Sequence, residues 1–235
     1  MTEITTLDIQ RRLLALGYDV GKSGADGKYG GGTIGAIDTA LHHLAEFRGA
    51  TEVIPPRAVK PAGIIPADWM PDAKMLRVIC HWTAGQHKAS AFDRSHYHVL
   101  IEGDGKPVRG IPSIKLNEKA VDGSGYAQHT LGCNSNSIGI SLCCMAGAME
   151  SPYVAGPAPM TREQWEALAI AVADLCRRYG IPVTDKTVLS HAEVQNNLGI
   201  TQRGKWDFTR LAFDPSVKGA KACGDLLRAG VRAHL

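Results

Sequence analysis

Apolar positions change their spacing along this chain. Near the amino end Ile9, Leu13 and Leu16 recur at a helical period, and Gly17 ends the run. A loop rich in Gly and Asp follows over residues 19–32. Thr33 can cap a second helix that places Ile34, Ile37, Leu41 and Leu44 on one face. Two amphipathic helices this short need a partner to bury against. Residues 49–73 show no period and hold Pro55, Pro56, Pro61, Pro66 and Pro71, which reads as a semi-rigid spacer or a strap on a larger domain.

From residue 74 the pattern becomes mixed. Residues 75–82 and 137–145 are short apolar runs expected to be buried strands. Residues 96–101 and 108–111 flank Glu102-Gly103-Asp104-Gly105, a hairpin-turn signal. Residues 161–179 predict the clearest helix. Thr161 and Gln164 form a capping box, Trp165, Leu168, Val172 and Leu175 share a face, and Gly180 stops it. Residues 187–190 read as a strand running into His191, and 218–235 as a final helix. The expected architecture is α/β, a central mixed β-sheet flanked by helices, with a small all-α domain in front. The expected boundaries are 1–48 for the helical unit, 49–73 for the linker and 74–235 for the larger domain.

Composition narrows the possibilities. With 44% hydrophobic and 21% charged residues the chain has the profile of a globular protein with one good core and a small extra unit. No apolar run reaches the length of a membrane span. Residues 1–10 lack a basic segment followed by an apolar one, so no secretory signal is expected. The net charge of +3 is spread rather than packed into a stripe, which argues against nucleic acid as a partner and suits an anionic polymer. The six cysteines, Cys80, Cys133, Cys143, Cys144, Cys176 and Cys223, include no C-x-x-C pair and read as small buried hydrophobes.

Three side chains stand where chemistry is carried. His81 and His191 each close an apolar strand, and Asp207 lies in Gly204-Lys205-Trp206-Asp207-Phe208. Two imidazoles and a carboxylate make a sensible zinc set with one position left for water. Spacing alone does not join them, and each His taken singly reads as a strand-end hydrogen-bonding group. His96 and His98 form a rival H-x-H pair, with the blander reading that His98 is core and His96 lines a groove or faces solvent. His87 is expected in solvent.

Several blocks in order resemble the type 2 N-acetylmuramoyl-L-alanine amidases, the fold shared by phage amidases and peptidoglycan recognition proteins. They are His81-Trp82-Thr83-Ala84-Gly85; then His96-Tyr97-His98 with its strand and turn; then His129 ahead of Asn134-Ser135-Asn136-Ser137-Ile138-Gly139-Ile140; then the capped helix, His191, and Lys205 two residues before Asp207. The resemblance spans roughly residues 70–212. It implies zinc (Zn2+) held by His81, His191 and Asp207, with Tyr97 orienting water or the substrate carbonyl and Lys205 stabilising the oxyanion. His129 and Asn136 would contact substrate. Trp82, like Trp206, would be a groove wall for sugar or a packing residue. Many relatives carry a Glu after the Ser-Ile-Gly-Ile run where this chain has Ser141, so the proton carrier is open, with Glu102 and Glu193 as weak substitutes. The N-terminal residues, with Gln10, Leu13, Leu16-Gly17-Tyr18, Asp26-Gly27 and Thr33, resemble a small peptidoglycan-binding domain.

The resemblance implies cleavage of the amide between N-acetylmuramic acid and L-alanine in bacterial peptidoglycan, by a phage or prophage endolysin made in the host cytoplasm and acting on the wall. No membrane insertion is expected, and a monomer is. Two other readings remain: a non-catalytic peptidoglycan-recognition module, and a zinc peptidase cutting within the stem peptide.

Overall fold

The computed structural model describes residues 4–47 and 63–235, without the side chains of 42–47. The expected spacer over 49–62 and the side chain of Leu44 therefore lie outside the described residues. The chain divides into two compact units, residues 1–59 and 60–235.

In the first unit α1 spans Thr6–Ala15 and α2 spans Gly31–Phe47. A capping box between Thr5 and Asp8 starts α1. Gln10, buried on α1, is the hub of the unit. Its Nε2 donates to Asp26 Oδ1 (3.0 Å), Lys28 O (2.9 Å) and Thr33 Oγ1 (2.8 Å), and its Oε1 accepts from Gly27 N (2.7 Å). The motif residues Gln10, Asp26, Gly27 and Thr33 thus hold the loop to both helices. Thr33 is not the cap of α2, because its hydroxyl is engaged by Gln10 and the helix begins two residues earlier. The expected apolar face also shifts. Ile34 and Leu41 are exposed, while Ala36 packs with Leu13 and Val20.

The second unit is built on a five-stranded sheet of order β3-β2-β4-β1-β5. The strands are β1 (Arg77–Trp82), β2 (Val99–Ile101), β3 (Pro107–Arg109), β4 (Ser137–Leu142) and β5 (Val188–Ser190). Parallel pairing joins β2, β4, β1 and β5, and β3 adds antiparallel to β2 through the expected turn at Gly105 (φ 81°). This is the mixed sheet flanked by helices that the sequence pattern predicts. A strand's side chains alternate between faces. On one face Val78, Cys80, Trp82, Ile138, Ile140 and Leu142 join the core with α4 (Arg162–Tyr179) and α6 (Ala220–Ala233). On the other face Ile79 packs with Val194 of α5 (His191–Leu198), and His81 follows Ile79 on that same face.

Helix α4 is the element the sequence predicts best. Thr161 caps it, Gln164 completes the box, and Gly180 closes it in the left-handed conformation. Gln164 Nε2 also donates to Ile101 O and Cys143 O, which ties the helix start to the ends of β2 and β4. Residues 63–73 form a strap along α4. Asp174 Oδ2 accepts from Ile64 N (2.7 Å) and Ile65 N (3.1 Å), and Ile65 is buried.

Three elements depart from the expected pattern. Residues 91–96 form helix α3 (Ala91–His96), started by a capping box of Ser90 and Asp93, so His96 ends a helix rather than starting the strand expected over 96–101. His96 and His98 therefore do not share a strand face. His191 opens α5 instead of ending a strand, and a hairpin of β6 (Arg210–Leu211) and β7 (Asp214–Lys218) precedes α6. All six cysteines are buried free thiols, as expected.

Replacing Asp174 with alanine should strip both strap amides of their acceptor. The expected loss is about 1–3 kcal/mol of stability, read from urea unfolding, with the far-ultraviolet spectrum unchanged.

Candidate metal centre

Strand register brings the site together. His81 is the fifth residue of β1, and β1 pairs centrally between β4 and β5. His191 is the first residue of α5, immediately beyond the end of β5. Asp207 arrives from the loop after α5. All three are buried, and one donor atom from each lies within 4.8 Å of the others. Asp207 Oδ2 is 3.3 Å from His81 Nδ1 and 3.6 Å from His191 Nδ1.

The surroundings decide which nitrogens face that point. Gln202 Nε2 donates to Leu131 O (2.9 Å), so its Oε1, an acceptor only, meets His191 Nε2 at 2.9 Å. His191 therefore donates from Nε2, which leaves Nδ1 turned towards the other two groups. His81 Nε2 lies 3.3 Å from His129 Nδ1 and 3.4 Å from Thr130 Oγ1, and His81 Nδ1 has no hydrogen-bond partner. The 3.3 Å approach of Nδ1 to Asp207 is thus a contact without hydrogen-bond alignment.

The electrostatics agree. Burial drives His81 down to about 4, against the opposing pull of Asp207, so the ring stays neutral. Burial alone would raise Asp207, but the adjoining His191 and His81 rings pull the other way and hold the carboxylate well below its ordinary range. An unpartnered His81 nitrogen, the His191 nitrogen opposite the Gln202 contact and an ionised carboxylate converge, an arrangement that suits a divalent cation. Ligands about 2.0–2.1 Å from a tetrahedral zinc lie about 3.3 Å apart, close to the 3.3 and 3.6 Å from Asp207 Oδ2 to the two imidazole nitrogens.

A groove of about 400 Å³ runs past the triad, walled by Tyr97, Lys205, Trp82, Phe92, Gln128 and Arg203. A second lobe of about 390 Å³ shares His129, His191, Gln128, Arg203 and Lys205, and adds Tyr126 and Asn134. Tyr97 stands with its ring centroid 5.1 Å from that of His81. Burial, then the Asp207 charge, pushes its phenol well above the ordinary value, so Tyr97 is a hydrogen-bond donor and not a base. Lys205 is exposed on the rim.

The remaining predicted site residues divide. His129 is buried at 6% exposure, and its Nδ1 lies between Thr130 Oγ1 (2.9 Å) and His81. It backs His81 more than it opens to the groove. Trp82 is 5% exposed and packs on Trp206 and Phe208, with centroids 4.7 and 5.6 Å away, so it contributes only an edge to the wall. Asn136 is not brought to the groove. Its Nδ2 donates to Lys74 O (2.8 Å) and Glu118 O (3.0 Å) ahead of β4. Asn134 is the asparagine that reaches the site, where Oδ1 accepts from His129 N and Thr130 N.

His98 is core, donating from Nε2 to Asn117 Oδ1 (2.9 Å) and accepting on Nδ1 from Gly139 N (3.0 Å). His87 is half-buried against Pro159 O at 2.7 Å rather than in solvent. Neither substitute carboxylate lines the groove. Glu102 accepts from Ala89 N and Lys88 Nζ, and Glu193 is buried against Arg228. Ser141 sits beside His81 across the β1–β4 pair. Gln202 and Thr130 are the contributors that sequence reading missed, since neither residue type marks itself until its partner ring is in place.

The fold and site define a mixed-sheet α/β protein with a histidine, histidine and aspartate centre at one end of its parallel strands. The family model for N-acetylmuramoyl-L-alanine amidase matches residues 71–207, more than half of the chain. The chain belongs to that family. Similar solved structures include an endolysin amidase, LysCS, from Clostridium intestinale URNW, 16% identical, covering 60% of this chain and 92% of that one with a TM-score of 0.33. The hydrolase AmiA of Staphylococcus aureus is 14% identical, covering 67% and 73% with a TM-score of 0.43. The Ph2119 endolysin from a Thermus scotoductus MAT2119 bacteriophage is 17% identical, covering 63% and 84% with a TM-score of 0.36. No curated protein matches the chain.

A pH dependence follows from His98, which burial holds at about 4 against an ordinary 6.5. The unfolded ring takes a proton near 6.5 and the folded one refuses it until about 4, so the unfolded state binds more protons in that window. Stability should be fullest above pH 6.5 and fall as the pH drops towards 4. Urea midpoints of the metal-free protein at pH 7 and pH 5 check this, and an unchanged midpoint would contradict the assignment. In the same centre Gln202→Leu should leave the fold intact and weaken metal binding about 10- to 100-fold, measured by chelator competition.

Proposed function

We propose that this chain is a zinc-dependent hydrolase that cuts the amide between N-acetylmuramic acid and the L-alanine of the stem peptide. The observation that carries this reading is the convergence of His81 Nδ1, His191 Nδ1 and Asp207 Oδ2 on one point at the floor of a groove. Zinc held there would supply Lewis-acid polarisation of the amide carbonyl and a water with its pKa brought down to about 7.

The chain's own residues do the rest. Lys205 brings a cation to the rim, where it opposes negative charge growing on the carbonyl oxygen. Tyr97 keeps its proton and donates a hydrogen bond towards water or the carbonyl. Among the described residues, the carboxylates lining the groove are Asp207, committed to the centre, and Asp93, committed to capping α3. Proton delivery to the leaving amine therefore falls to something other than a free groove carboxylate, in keeping with Ser141 at the position where many relatives carry Glu. His129 and Thr130 hold the His81 ring, so the substrate-contacting role expected of His129 gives way to support of a ligand.

The first unit serves in this reading as a peptidoglycan-binding domain that raises local substrate concentration on an insoluble polymer. The reading extends to a phage or prophage endolysin acting on the cell wall. Among the described residues no helix is long and apolar enough to cross a membrane.

Purified cell wall incubated with the protein should release new amino-terminal alanine with no new reducing sugar. His81→Ala should lose both zinc and activity, and Lys205→Ala should keep zinc while losing most of its turnover. Release of amino termini other than alanine would point to a stem peptidase instead. Normal wall clearing by the Lys205 variant would remove the oxyanion role.

A further inference from the structure

We propose that Arg228 and Glu193 act as positioning residues for His191, so that the last helix sets how tightly the centre holds its ion. This rests on the zinc reading above. Arg228 lies on α6, beyond residue 207 where the family match ends.

Glu193 is the third residue of α5, two after His191. Its Oε2 accepts from Ser190 N at 2.9 Å, the residue directly before the ligand. Arg228 grips the same carboxylate with both arms, Nη2 to Oε1 at 2.9 Å and Nη1 to Oε2 at 3.1 Å. Nη1 also donates to Val188 O at 2.9 Å on β5, and Nη2 to Asp225 Oδ1 at 2.8 Å. Both side chains of the pair are 3% exposed. One guanidinium therefore ties the strand before His191 to the first helical turn after it.

The approach of α6 is itself built for this. A Cβ on Gly224 would stand 2.2 Å from Glu193 Oε1, so only glycine lets the helix come so close. A buried ion pair is a poor way to gain stability, since desolvation takes back much of the attraction and an apolar pair often does as well. What the pair supplies is a fixed geometry at the corner that carries a ligand. Gln202 orients the His191 ring, and Arg228 with Glu193 holds the backbone from which that ring projects.

The test is zinc affinity of the full chain by competition with a chromogenic chelator, with thermal unfolding of the metal-free protein in parallel. The double variant Glu193→Gln, Arg228→Met removes both charges while nearly keeping volume. It should unfold cooperatively near the wild-type temperature yet bind zinc at least about tenfold more weakly. Arg228→Lys keeps the charge on Glu193 but cannot span Glu193 and Val188 O together, and should show a loss in the same direction. It also decides the matter should the double variant not fold. Wild-type zinc affinity in whichever of these folds overturns the proposal. A wild-type chain that takes up no zinc, measured first beside His81→Ala, overturns the metal reading itself and the positioning role with it.

Discussion

A buried carboxylate facing two imidazoles is the constraint around which the second unit is arranged. Polar groups crowded together in a dry site are costly unless a proton, water or a cation satisfies them. Here burial resists protonation of His81, and Gln202 fixes the proton of His191 on the far nitrogen. Three donors placed in this way suit a cation between them.

Each of the three candidate ligands depends on a different part of the fold. His81 is aimed by the two-residue alternation of β1, which gives Val78, Cys80 and Trp82 to the core of α4 and α6 and leaves Ile79 and His81 to the opposite face. His191 is aimed by a strand-to-helix corner whose first turn is capped by Glu193. Asp207 is delivered by a loop that then turns sharply. Phe208 follows at φ 61° and sends its ring against Trp82 and Trp165. The aromatic packing that makes Trp82 a poor groove wall is thus what anchors the loop bearing Asp207.

Polar side chains with no chemistry of their own do much of the positioning. Gln10 in the first unit, and Gln164, Gln202 and Asn117 in the second, each satisfy two or more partners across long sequence separations. In a buried setting an amide offers a donor and an acceptor at once, so one side chain can close two backbone gaps. The same logic explains Asn134 and Asn136, two residues apart in a single turn. Asn134 caps the backbone of His129 and Thr130 beside the centre, whereas Asn136 spends its amide on Lys74 and Glu118 carbonyls away from it.

The sequence by itself determined the sheet-and-helix class, the capped helix α4, the turn at Gly105, the buried thiols, and the three candidate ligands through their ordered blocks. Those features are local, since capping boxes, turn glycines and strand runs are written in a few consecutive residues. Helix α3 was equally legible in the capping box of Ser90 and Asp93, and with it the place of His96 at the helix end rather than in the expected strand from residue 96. Only the tertiary structure decided that His129 supports His81, that Asn134 and not Asn136 reaches the groove, that Trp82 is core, and that Gln202 and Arg228 belong to the centre's surroundings. Each of these depends on atoms brought together across many residues by strand pairing and helix packing, and side-chain direction at such range is set by the whole fold rather than by neighbours in the chain.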